Sequence, residues 1–128
     1  FGYYWSPTAL VGSLGIVKLD WDTPYAGDDN WQSCISQPVD TCSDPLATAM
    51  PVSETGTIIV PDTLSSGVLT YLSKRKMPSG VTEKMLVFGT ENQASAEEMA
   101  IEFLTLYPQV WKQWVSSEAA EKIQSSLN

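Results

Sequence analysis

The spacing of apolar side chains changes character at residue 62. From Asp62 onward it follows a helical period. Asp62 is positioned to cap a helix in which Leu64, Val68, Leu69 and Leu72 share one face. The helix ends at Lys74-Arg75-Lys76, a basic cluster that complements the C-terminal end of the helix dipole and is read as that rather than as a nucleic-acid or membrane contact. Met77-Pro78-Ser79-Gly80 predicts a turn, with a further helix through Glu83 to Phe88. Ser95-Ala96-Glu97-Glu98 has the form of a capping box, and Ala96, Met99, Ala100, Phe103, Leu104 and Tyr107 then trace a single stripe. Pro108 breaks that helix; Val110, Trp111, Trp114 and Val115 form a second stripe, and a last helix from Ser117 to Leu127 buries Ala120, Ile123 and Leu127. The helical spacing of Trp111 and Trp114 makes them core residues rather than ligand walls.

Before residue 62 the pattern is that of strands and loops. Four of the first five side chains are aromatic, and alternation puts Tyr3 and Trp5 on one face of a strand, Gly2 and Tyr4 on the other. Pro7 lacks an N–H and disfavours helix at Ser6, so the strand should stop there. Trp5 would then stand at the rim of a sheet, where open α/β sheets bind ligands. A turn or short helix (Thr8 to Ser13) leads to a second predicted strand, Ile16-Val17-Lys18-Leu19. Residues 20–55 form a long connection rich in Asp, Pro, Gly and Ser, with Trp21, Tyr25 and Trp31 as apolar pegs. The β-branched run Thr57-Ile58-Ile59-Val60 predicts a strand of a covered sheet, ended by Pro61.

Composition narrows the chemistry. The chain has 128 residues, of which 43% are hydrophobic, enough for one compact domain. No apolar run approaches the ~20 residues of a membrane-spanning helix. Its net charge of −8, with seven Lys and Arg, argues against nucleic acid and anionic membrane surfaces. There is no histidine, which removes the usual general base and every Ser-His or Cys-His pairing. Gly12-Ser13-Leu14-Gly15 lacks the spacing of a nucleophile elbow, and no phosphate-binding glycine loop is present. Asp20, Asp22, Asp28 and Asp29 lack the alternating ligands and trailing Glu of a calcium loop. These features predict a protein that is not an enzyme and that carries no metal or cofactor.

Cys34 and Cys42 lie in a polar loop that holds Pro38 and is followed by Pro45. In an intracellular chain they would be free thiols, or half of a metal site whose other ligands are missing. A disulfide in an oxidising compartment fits better, since cysteines this close can meet across turn residues, and closing so short a loop contributes ~2–3 kcal/mol. A secreted or cell-envelope location follows.

The aromatic run Tyr3-Tyr4-Trp5-Ser6-Pro7 resembles the Tyr-Tyr-x-Trp-[Ser/Thr]-Pro stretch of the substrate-binding proteins of glycine betaine, choline and proline betaine ABC importers. Further likenesses follow in order: a loop with Trp31, Cys34 and Cys42; a strand from Pro51 to Val60; and the ending Pro108-Gln109-Val110-Trp111-Lys112-Gln113-Trp114-Val115. The resemblance implies an α/β fold of the type II periplasmic-binding-protein kind, in part. Residues 1–55 would give the end of the second lobe with its disulfide loop, and residues 56–128 a hinge-crossing strand and C-terminal helices. Family members are more than twice as long, so the chain corresponds to the C-terminal portion of such a protein. The implied function is that of a solute-binding component, periplasmic or otherwise extracytoplasmic, that delivers a quaternary ammonium compound to a membrane permease. Trp5 would be one wall of an aromatic cage, with Tyr3 and Tyr4 beside it. The competing expectation is a free-standing interaction domain that self-associates through the exposed aromatic strand.

Overall fold

The computed structural model describes residues 2–20, 22–60 and 62–127. Among these residues the regular structure is entirely helical: α1 (Ala9–Leu14), α2 (Asp28–Asn30), α3 (Ser66–Lys74), α4 (Ser79–Asn92), α5 (Ala96–Leu106), α6 (Pro108–Trp111) and α7 (Ser117–Ser126). A π-helical turn, Trp31–Ile35, continues α2, and a 3₁₀ turn spans Val39–Thr41. The chain divides into two units, one made of Phe1–Val17 with Thr57–Asn128 and the other of Lys18–Gly56.

The core lies in the first unit. Trp111 is only 2% exposed, and Met85, Phe103, Trp114 and Ala120 are buried around it. Stacking organises this core: the Phe103 ring lies nearly parallel to Trp114, with centroids 5.6 Å apart, and Tyr71 of α3 meets the indole edge-on at 6.5 Å. Such pairs add ~0.5–1.5 kcal/mol to what burial alone supplies. Trp111 Nε1 donates to the carbonyl oxygen of Leu104 at 2.8 Å, so its one polar atom is satisfied near the α5–α6 break. The inference from spacing that Trp111 and Trp114 are packing residues therefore agrees with the structure.

Helix starts follow local chemistry. Ser95 accepts from the backbone N–H of Glu98 at 3.3 Å, and Glu98 Oε2 takes both the N–H and the hydroxyl of Ser95 at 2.8 Å, the reciprocal box expected there. Ser116 caps α7 by the one-sided bond alone, its hydroxyl accepting from Ala119 N at 3.2 Å. The start of α3 differs from expectation: Ser65, not Asp62, is its cap, accepting from Val68 N at 3.5 Å, and Asp62 takes a left-handed conformation with φ 62°. Within the basic cluster at its end, Arg75 is engaged. Arg75 Nη2 donates to Thr57 Oγ1 at 3.3 Å and its guanidinium lies 5.9 Å from the Tyr71 ring centroid.

Two glycines set helix approach. A Cβ on Gly12 would stand 2.6 Å from Val87 Cγ2 and 3.0 Å from Glu83 Cγ, so α1 rests on α4 through a bare backbone. Glu83 Oε1, in this contact, is buried without a hydrogen-bond partner among the described residues. Gly89 similarly leaves room for Met99, whose Sδ would be 2.7 Å from an added Cβ, and so lets α4 and α5 close on each other.

The α/β expectation is overturned. No strand or sheet exists among the described residues, and with it go the mixed sheets of a two-lobed binding protein and the hinge-crossing strand. The runs at 2–5, 16–19 and 57–60 have the side chains of strands but no ladder. Ile58 is 98% and Val17 83% exposed. β-Branched and aromatic residues suit a pleated surface that a neighbour must complete, and here no neighbour brings paired N–H and C=O groups. Phe1, Trp21 and Pro61, read above as strand, peg and stop, lie outside the described residues.

In the second unit no described side chain is buried. It is held by polar links between its two arms. Ala49 N–H donates to Pro24 O at 3.1 Å, and Ala26 N–H donates to Thr48 Oγ1 at 2.8 Å. The Asn30 side-chain amide grips the backbone of Leu46 twice, accepting its N–H at 3.2 Å and donating to its carbonyl at 3.4 Å. Cys34 and Cys42 are joined as a disulfide, with Cα atoms 4.9 Å apart, as inferred from the sequence.

Candidate functional site

The aromatic segment reaches solvent directly. Tyr3, Tyr4 and Trp5 are 68%, 55% and 62% exposed, in a stretch without regular structure that leads into α1. Thr8 begins that helix, its hydroxyl accepting from Val11 N at 3.3 Å, and Gly15 ends it in the left-handed conformation (φ 60°). Trp5 therefore stands a few residues before a helix whose own seat is the Gly12 contact on α4.

Tyr3 and Trp5 come together. Their centroids are 5.9 Å apart and their planes 81° from parallel, an edge-to-face pair. Two rings at right angles leave a corner that presents one face from each. A methylated cation seated there would lie within ~6 Å of both centroids, the range over which a ring quadrupole attracts positive charge. Tyr4 has no ring partner among the described residues.

Two depressions of about 440 and 340 Å³ lie elsewhere, the first beside α7 at Ser117, Glu121 and Gln124, the second in the other unit at Lys18, Asp20 and Ala47. Among the described residues no group of Cys, Asp and Glu is arranged to hold a metal ion, and no helix is long and apolar enough to cross a membrane.

Several features with electrostatic or packing roles escaped the sequence pattern. Tyr25, read as an apolar peg, donates its hydroxyl to Asp28 Oδ1 at 2.6 Å and packs at 6.5 Å against Trp31. That hydrogen bond first, then desolvation and the Asp28 charge, pushes the phenol up to about 12. Its i,i+3 spacing to Asp28 is the one signal that could have pointed there. The Asn30 grip on Leu46 left no local signal, because its partner lies sixteen residues away. The Glu98 carboxyl is held below its ordinary value by the backbone and side-chain hydrogen bonds of Ser95. No family model, curated protein or solved structure matches the chain.

Proposed function

We propose that the chain binds and does not catalyse, and that the Tyr3–Trp5 corner receives the quaternary ammonium group of a small osmolyte such as glycine betaine or choline, as part of a solute-binding component of an importer. The observation that carries this reading is the right-angled, solvent-facing pair of rings. A trimethylammonium group has no N–H to donate, so ring faces are its natural recognition surface, at ~0.5–1 kcal/mol each when exposed. The order of motifs from Trp5-Ser6-Pro7 to Trp111 and Trp114 supports the importer context.

Two exposed rings contribute only ~1–2 kcal/mol, far short of the ~8 kcal/mol that corresponds to micromolar binding. The corner is thus one side of a cage whose remaining walls come from elsewhere. Titration of the chain with tetramethylammonium should shift the Trp5 indole and Tyr3 ring NMR signals only at tens to hundreds of millimolar. The neutral, similarly shaped neopentane-like tert-butanol should leave them in place, and Trp5→Ala should abolish the shift at Tyr3. Equal shifts from the charged and neutral probes would defeat the reading.

A second reading, self-association through the exposed aromatic segment, is favoured by the apolar side chains of Ile58, Val60 and Trp5 standing in solvent. Light scattering over a concentration series decides it: a mass constant at one chain excludes it.

A further inference from the structure

The links inside the Lys18–Gly56 unit form an antiparallel series. Pro24 meets Ala49, Ala26 meets Thr48, Asn30 meets Leu46 and Cys34 meets Cys42. One arm runs through α2 and its π turn; the other, from Pro45 to Ala49, has neither turn nor bend. The covalent bond sits nearest the tip, and the hydrogen bonds follow outward from it.

This order has a consequence for stability within the unit. With the bridge closed, the Asn30–Leu46 grip joins chains already held four residues away on each side. Without it, the same grip must close a loop of sixteen residues, and the Ala26–Thr48 bond one of twenty-two. Burial compensates little, because no described side chain of the unit is buried and the hydrogen bonds between its arms lie at or near the surface, where water competes for them. Both cysteines are half-buried, so the bridge is within reach of a small reagent.

We infer that the Cys34–Cys42 disulfide is a redox gate for this unit: oxidised, residues 24–49 are a zipped body; reduced, they open into a loose connection while the helical unit stays folded. The reductant is a dithiol. One of its thiolates attacks a bridge sulfur, giving a mixed disulfide and releasing the other cysteine as a thiolate; its second thiolate then displaces the first cysteine. Two electrons pass to the chain, two protons end on Cys34 and Cys42, and the dithiol leaves as a disulfide. The inference does not depend on the ammonium-binding reading.

The test is a ¹⁵N–¹H spectrum and amide exchange of the whole chain, oxidised and in dithiothreitol, beside a Cys34→Ser/Cys42→Ser variant that needs no reagent. The expected result is that the amides of Ala26, Leu46 and Ala49 move to unstructured positions and exchange at least tenfold faster in both bridge-free forms. The Trp111 indole and the α5 amides should remain in place, and reoxidation should restore the original spectrum. Unchanged amides in the second unit would overturn the gate. So would loss of signals from both units together, which would make the bridge a staple of the whole chain.

Discussion

Single atoms decide two outcomes at the residue scale. Gly12→Ala places a methyl 2.6 Å from Val87 Cγ2, an atom on a stiff β-branched side chain. The helix must lift, and we expect a loss of ~1–3 kcal/mol despite the better helix propensity of alanine. Gly89→Ala meets Met99 Sδ instead, in a side chain with several rotatable bonds. Its cost should be small, offset by the ~1 kcal/mol that alanine gains in a helix interior. Parallel urea titrations would show the contrast, and equal costs would refute it. Tyr25 gives a pH prediction. Its phenol titrates at about 12 in the fold against 10.0 otherwise, so the folded form holds its proton more tightly. The stability it confers on the second unit is fully present below pH 10 and is lost as pH rises from 10 towards 12. Circular dichroism of the second unit's unfolding in urea, followed through that window, should show the loss, and Tyr25→Phe should not share it.

At the scale of elements, the helices that could be read in advance are those whose signals are local. The Ser95–Glu98 box, the Phe103 stripe and the Pro108 break all act within one or two turns, and each appears where expected. Ser95→Ala should destabilise the helical unit by about 1 kcal/mol, measurable as a shift in its thermal midpoint. The strands failed for the complementary reason. A run such as Thr57–Val60 states only a preference for a pleated surface, and whether a partner strand arrives is decided far along the chain or outside it. The same limit hid the close seat of Gly12 on Val87 and the Asn30 grip, since neither partner lies within a turn of the residue. Of the residues proposed to bind, Trp5 is exposed, but in an irregular lead into α1; the sheet rim expected for it does not exist among the described residues.

For the molecule as a whole, the stable core and the proposed recognition surface are kept in different places. Every buried side chain among the described residues falls between Met85 and Ala120, while the aromatic corner is built from exposed groups and the bridged loop from exposed and half-buried ones. Cooperative melting therefore draws on a short span. A typical chain of this length would take up ~1.5–1.9 kcal/mol/K of extra heat capacity on unfolding. Scanning calorimetry should find roughly half that, with a broad endotherm resembling that of a far smaller protein. The remainder of the chain would warm through the transition almost unnoticed, its residues already hydrated before the first helix parts.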